Sequence, residues 1–461
     1  MKKVVKNNSP WLKQLNKTKI KKLTKNFETE IAILGGGIAG ITTAYYVLKN
    51  TQNKVVLVEG YKIAHGATGH NAGQIVSYFE KPFFKIVEEY GLDLAAKAQR
   101  DILHTWELIE GIYEETGIST PYYQFVGYAG CTNLDQIKLH LENKYLRNKA
   151  GINMESIFIA ENAYCLNEIP KKYDGLYYVV PHHKIISMLE THDQSYIAAF
   201  ASKKGCINSA LFSQELVKFM QKEYSGRFSL YEHTPVDQII LEKESVILKT
   251  RKYKIKAGKI VLCTNGFENL NIINHDGKDI DHKFHEIVSG VIGYMSGYFQ
   301  NEEKEPTAIS YFPTKGADFH EPYFYLTRRF YKHKNAEKVL TCVGGPEIEL
   351  EEKNRYNKNH KFSDDAKKQI HDFLSKTYDK KKIKLDFAWH GLMGYTKTGL
   401  RLIGPEILNE NLLYNLGCNG VGILPSIHGA YKISQILLGK KQEESIFDPR
   451  PQKCLIDIKE I

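Results

Sequence analysis

The sequence is poor in the residues that staple small folds and cross membranes. Its seven cysteines (Cys131, Cys165, Cys206, Cys263, Cys342, Cys418 and Cys454) are odd in number and scattered, and no C-x-x-C occurs. That excludes a disulfide framework and a structural zinc site, and it favours a reducing, cytoplasmic setting. No uninterrupted apolar run reaches spanning length, so no transmembrane helix is expected. The first 28 residues lack the apolar stretch of a secretory signal and the Arg and Ser richness of a transit peptide. Internal repeats and low-complexity linkers are absent too.

What remains is an ordinary globular composition, with 42% hydrophobic and 25% charged residues. At 461 residues the chain is too long for one ordinary core, so two domains are expected. The formal charge is +10, but lysine is spread everywhere. Runs such as Lys380-Lys381-Lys382 read as solvated surface, and no stable nucleic-acid or membrane partner is expected.

The first strong pattern is ETEIAILGGGIAGITTAYYVLKNTQNKVVLVEG. Glu30 to Leu34 reads as a buried strand, Ile38 to Leu48 as a helix and Val55 to Val58 as a second strand. Gly35, Gly37 and Gly40 fit G-x-G-x-x-G between the first strand and the helix. Gly35 makes the tight turn, Gly37 lets a pyrophosphate reach backbone N–H groups, and Gly40 lets helix and strand pack closely. With Ile38 and Ala39 they open a helix whose N-terminus favours an anion. Glu59 follows Gly40 by nineteen residues, and its carboxylate can accept from ribose hydroxyls while repelling a 2′-phosphate. The βαβ unit therefore predicts a Rossmann-like dinucleotide site. After the acid the chain enters a second small-residue loop, GATGHNAGQ.

Further along, Asp93 to Glu115 has helical spacing. Ile260 to Cys263 reads as a strand ending in a turn. Tyr323 to Leu326 and Val339 to Val343 read as antiparallel strands, and Asp364 to Leu374 as a helix. Strand Leu412 to Leu416, glycine loop Gly417 to Gly422, and helix Pro425 to Leu438 with Gly439 as its cap close the pattern.

Four stretches together resemble the D-amino acid oxidase superfamily of FAD-dependent oxidoreductases, which includes glycine oxidase, sarcosine oxidases and γ-glutamylputrescine oxidase. They are GGGIAG with Glu59; GATGHNAGQI, similar in form to the flavin loop of putrescine-pathway amine oxidases; GCINSALFSQELV, EHTPVDQI and KIVLCTNGF; and WHGLMGYTKTGLRLIGP with NLGCNGVGI. The resemblance implies an α/β fold of the glutathione reductase-like kind. A Rossmann-like FAD-binding domain would carry a discontinuous, antiparallel-sheet substrate domain. The implied segments are a basic extension at 1–28, the FAD domain at 29–115, 196–275 and 381–461, and the substrate domain at 116–195 and 276–380.

The resemblance also carries site residues. Besides Gly35, Gly37, Ile38, Ala39, Gly40 and Glu59, it places Ala67, Thr68, His70, Asn71, Ala72 and Gln74 beside the pyrophosphate and flavin ring. The backbone at Val236 meets the adenine, Thr264 joins the middle segment, and Gly420, Gly422 and Ile423 face the flavin carbonyl. His70 stands where relatives carry an arginine or a flavin-linked histidine, so a hydrogen-bonding and a covalent role are both open. Met393 stands where glycine and D-amino acid oxidases carry the arginine that pairs with a substrate carboxylate, unless Arg328, Arg329 or Arg401 substitutes.

The implied reaction is oxidation of a C–N bond of an amine or N-substituted amino acid to an imine that water hydrolyses, with O2 or a quinone as electron acceptor. His390, Tyr325 and Arg328 are candidates for the catalytic end, and Tyr395 a weaker one. Other readings are a flavoenzyme of a modified tRNA base, a quinone-linked dehydrogenase of amino or hydroxy acids, and an electron-passing subunit.

Overall fold

The computed structural model describes residues 7–266, 270–300, 302–312, 323–333, 336–350, 356–378 and 383–449. The Lys380 to Lys382 run, Cys454 and the first six residues of the basic extension lie in part or whole outside them.

Two large sheets organise the described chain. The first has nine strands. Its heart is a run of parallel neighbours: Phe228–Tyr231, Val55–Val58, Phe27–Leu34, Lys254–Leu262 and Asn409–Leu416. Parallel strands are buried on both faces, which is why they read as continuous apolar runs. Alternation then sorts the side chains. Ile31, Ile33, Val55 and Leu57 face helices Ile38–Asn50, Leu92–Thr116, Ser209–Glu223 and Ile423–Leu437. Ala32, Leu34, Val56 and Val58 face the other way, into a core shared with strands Val236–Leu241 and Val246–Thr250. Each fully buried Ile, Leu or Val contributes about 1.5–3 kcal/mol.

Strand Lys254–Leu262 forks the sheet. Its first half pairs antiparallel with Val246–Thr250, and Ile260, Val261 and Leu262 pair parallel with Leu412, Leu413 and Tyr414. Its other edge runs beside Phe27–Leu34 throughout.

The second sheet has ten strands and is mainly antiparallel. It includes Tyr122–Cys131, Ala198–Ile207, Val288–Gln300, Phe324–His333, Ala336–Leu350 and Phe387–Thr396. Two of these depart from the expected segmentation. Ala198–Ile207 and Phe387–Thr396 fall within the stretches assigned to the cofactor domain, yet each pairs over ten residues with a strand of the second sheet. An apolar strand fits either sheet, and only its partner decides.

The N-terminal segment is not a loose extension. Ser9 caps a short helix, Pro10–Lys13, accepting from the Trp11 N–H at 3.2 Å, with Pro10 at its start. Trp11 is fully buried, edge-on to Trp389 at 6.3 Å between ring centroids. Asn7 brackets the backbone of His390, accepting from its N–H and donating to its carbonyl, both at 3.1 Å. The segment is a strap across strand Phe387–Thr396.

Candidate functional site

A cleft of about 750 Å3 opens where the parallel strands end and the second sheet begins. Crevices beyond the carboxyl ends of parallel strands are where such folds bind ligands.

One end is made by backbone. The turn after Leu34 puts Gly35 at φ +109°, and a Cβ there would lie 2.6 Å from the Cys263 carbonyl oxygen. A Cβ on Gly40 would come within 1.9 Å of the Gly35 oxygen, so only glycine lets the helix start this close to the strand. Helix Ile38–Asn50 begins with Gly37 as its cap and no side-chain oxygen of its own there. Thr68 reaches across and accepts from the Ile38 N–H at 2.9 Å. Glu59 accepts from the N–H groups of Gly36 and Tyr61, each at 2.7 Å. Burial still pushes its carboxyl up from its ordinary value.

The small-residue loop has two faces. Ala67, Thr68, Asn71 and Ala72 line the cleft. Gly69 and Gly73 serve the opposite side: a Cβ on Gly69 would meet the Ala64 carbonyl oxygen at 2.3 Å and Leu12 at 2.5 Å, and one on Gly73 would meet the Ile207 carbonyl oxygen at 2.7 Å and Trp11 at 3.0 Å. Part of the loop's small size is therefore for the strap, not for a ligand. Trp11 Nε1 also donates to the Asn71 carbonyl at 2.6 Å. His70 donates from Nδ1 to the Gly66 carbonyl at 2.9 Å, which leaves Nε2 as a lone pair. Burial holds its imidazole down at about 4, so it is neutral near pH 7.

Ile38, Ala39, Gln74, Val236, Thr264, Gly420, Gly422 and Ile423 also line the cleft, while Gly40 acts from behind as a packing glycine. Two polar atoms on this wall, Gln74 Nε2 and Thr264 Oγ1, are buried without a hydrogen-bond partner. Buried polar atoms left unpaired cost stability. A ligand with acceptors and donors spread along the cleft would satisfy them. The residues thus fit a dinucleotide: Glu59 for the ribose, the 35–40 amides for the pyrophosphate, and Gln74, Thr264 and the 420–423 loop for a ring system.

The other end is built by side chains on strand alternation. Gln74 and Val76 face the cleft from a short strand and Tyr78 and Glu80 from the bends after it, Met393 and Tyr395 along a second strand, and Tyr323 and Tyr325 at the start of a third. Glycines 293 and 391 sit opposite each other in register and flatten the floor. Gly391 has no room for a side chain, since a Cβ would meet the His70 carbonyl oxygen at 2.6 Å. Glu347 completes this end.

Of the three residues expected at the catalytic end, only Tyr325 is there. His390 is not. It alternates with Gly391 and points to the opposite face, where Nδ1 bonds Tyr356 Oη at 3.0 Å and Nε2 donates to the His360 carbonyl, 3.1 Å away. It is 1% exposed. Arg328 is not there either. Its guanidinium makes a bidentate pair with Glu190, 2.7 Å on each arm, and Nε donates to the Glu305 carbonyl at 2.8 Å. Arg329 lies over Trp11. Arg401 reaches the cleft wall, but it spends its donors on Asn415 and Gly417 beneath the glycine loop. Burial there, with no carboxylate partner, lowers its guanidinium to about 10. Sequence reasoning missed Tyr78, Glu80 and Glu347. The period-two continuation from Gln74 would have found the first two.

A nucleotide crevice at a forked parallel sheet, roofed by a large antiparallel sheet, defines a dinucleotide-dependent oxidoreductase. Comparison with known proteins names the class: residues 30–435 match the family of FAD dependent oxidoreductases, and the chain belongs to it. A stretch of 136 residues is 28% identical to a putative Rieske 2Fe-2S iron-sulfur protein of Bacillus subtilis (strain 168), covering 29% of this chain and 26% of that protein. Another of 73 residues is 32% identical to the gamma-glutamylputrescine oxidoreductase of Escherichia coli (strain K12), covering 16% and 17%. The chain thus matches about a quarter or less of these relatives' lengths. Among solved structures, L-proline dehydrogenase from P. horikoshii superposes over 90% of this chain and 95% of its own, with a TM-score of 0.67 and 18% identity, which shows a shared fold. Among the described residues no helix is long and apolar enough to cross a membrane.

Proposed function

We propose that the protein oxidises the C–N bond of an amine, or of an amino acid whose carboxylate is not gripped by arginine, to an imine that hydrolyses in water. The observation that carries this reading is the chemistry of the cleft's second end. Among the described residues it presents tyrosines, two methionines and two carboxylates, and no lysine. Arg251 lines the cleft at the dinucleotide end, beside Val236 and Asp237, and Arg401 is committed to the glycine loop. An α-amino acid would find no bidentate partner for its carboxylate.

Bound FAD supplies the two-electron acceptor. The protein's part is binding, orientation and exclusion of water. Gly293 and Gly391 keep this part of the cleft free of side chains, and Tyr325 and Tyr395 would orient a substrate there beside bound FAD. Both tyrosines are held well above their ordinary range by burial and by nearby acids, so they stay protonated and can donate. Desolvation in this end favours the neutral amine, the form able to react. His70 hydrogen-bonds the cofactor without a covalent link. Electrons leave to O2 or a quinone.

The test is anaerobic mixing of purified yellow protein with primary amines, N-methyl amino acids, α-amino acids and 2-hydroxy acids. Bleaching of the flavin by amines ahead of α-amino acids is the expected result. Bleaching only by α-amino or hydroxy acids overturns the reading. Acid precipitation of the same sample should leave the colour in the supernatant; colour in the pellet that a His70→Ala variant loses would mean a histidyl bond.

A further inference from the structure

Glu80 and Glu347 have no assigned task, and their setting is unusual. Both line the substrate end of the cleft. Among the described residues neither has a lysine, arginine or histidine at ion-pairing distance, although 17 such pairs occur elsewhere in the chain. Each feels desolvation, which raises its carboxyl to about 7, and Glu80 also feels the charge of Glu347. Water in the open cleft reaches Glu347, and a ligand that filled the cleft would strip it away. Four tyrosines surround the pair. Tyr323 hydrogen-bonds Glu80, Tyr78 hydrogen-bonds Tyr323 and Ser310, and Tyr325 and Tyr395 both sense the two acids. Glu80 and the Tyr395 hydroxyl both stand against Gly420, where a Cβ would lie 3.3 Å from Glu80 Oε2 and 2.9 Å from Tyr395 Oη.

Two unpaired carboxylates that lose their water when a ligand fills the cleft cost free energy unless that ligand brings something positive to join them. Tyrosine faces attract cations as well. Among the described residues no cation fills that role, and a cationic ligand would.

Resting on the amine reading above, we infer that the preferred substrate is a diamine or oligoamine that arrives as a dication, with Glu347 holding the distal ammonium and Glu80 meeting the nitrogen beside the flavin loop and taking its proton, so that this nitrogen reacts as the neutral amine. The same charges select against an amine that carries a carboxylate, because two acids facing a third repel it. Glu80 and Glu347 are then specificity residues of the site already described, and Met393 marks the place where the opposite preference would have been written.

The test uses the FAD-loaded enzyme and three four-carbon probes: 1,4-diaminobutane, n-butylamine and 4-aminobutanoate. Binding is read from the perturbed flavin spectrum, and turnover from kcat/KM. The diamine should bind at least about tenfold more tightly than butylamine and win in kcat/KM by about a hundredfold, with 4-aminobutanoate poorest. Glu347→Gln and Glu80→Gln should each shrink the diamine-to-butylamine ratio by about tenfold or more, and Glu347→Asp should largely keep it. Butylamine or 4-aminobutanoate matching the diamine, or a ratio unmoved in both Gln variants at wild-type flavin content, overturns the inference and leaves the amine reading standing. If no amine bleaches the flavin, the amine reading falls. The spectral titration then still decides the acid pair: saturable diamine binding lost in Glu347→Gln upholds it, and no binding ends it.

Discussion

The two ends of the cleft are built from different materials. At the dinucleotide end the chain offers backbone amides, glycines and one carboxylate already gripped by two N–H groups. At the substrate end it offers side chains, among them two carboxylates with no positive partner among the described residues. The first end is largely satisfied by the fold itself, with Gln74 Nε2 and Thr264 Oγ1 left for the ligand; the second is electrostatically incomplete. A site whose ligand is fixed by the fold can be made of backbone, whereas a site that distinguishes ligands needs groups that only the right one completes.

The largest break in this comparison is expected at Gly40. Gly40→Val would force a side chain into the Gly35 carbonyl, and the protein should be recovered colourless or insoluble; full yellow colour would contradict the packing described. Trp11→Ala comes next. Removing a buried tryptophan costs about 3–5 kcal/mol, and because Trp11 backs the 66–74 loop, the loss should include faster FAD release as well as a lower melting temperature. Unchanged FAD release would separate the strap from the site. Glu59→Gln removes one charged acceptor, which is expected to weaken FAD binding by about 1.5–3 kcal/mol, roughly 10- to 100-fold in Kd, measurable by titrating apoprotein.

The smallest effect belongs to the substrate end and has a defined sign. Glu80 is raised from its ordinary value to about 7, so the folded state holds a proton that the unfolded state has released between roughly pH 4.5 and 7. Its contribution therefore falls as pH rises through that window, and above pH 7 the folded protein carries an unfavourable charge. Glu80→Gln should melt higher than wild type at pH 8, by on the order of 1 kcal/mol or ~1–2 °C, with the advantage gone at pH 5. Added 1,4-diaminobutane should erase the difference at pH 8 by stabilising the wild type.

Legibility in the sequence follows the same division. The dinucleotide end was readable because its requirements are local: a glycine at a positive φ, another at a 1.9 Å approach, and an acid closing the next strand. The strands at 55–58 and 412–416 and the helix at 364–374 were readable from pattern alone; the first keeps its bounds and the structure extends the other two by a few residues. The substrate end was not readable in that way. Tyr325, Glu347 and Met393 come from three separate strands and Tyr78 from the bend after a fourth, and no spacing relates them. His390 looked functional because it sits between Trp389 and Gly391 close to the expected flavin edge, but one step of alternation from Gly391 turns it to the other face. Arg328 looked like a carboxylate ligand, yet its own partner, Glu190, is 138 positions away in the sequence.

The strap sets an order of events during folding. Trp11 and its edge-on partner Trp389 lie far apart along the chain. Contacts so distant along the chain close late. The segment must wait, unshielded, while both sheets assemble around the cleft, and only then can it lie across strand Phe387–Thr396 and press the small-residue loop into place. Flavin present before that closing step meets a loop still free to open; flavin arriving afterwards meets one already buckled. The moment of loading during maturation, and not affinity alone, would then govern how much of the protein leaves the ribosome yellow.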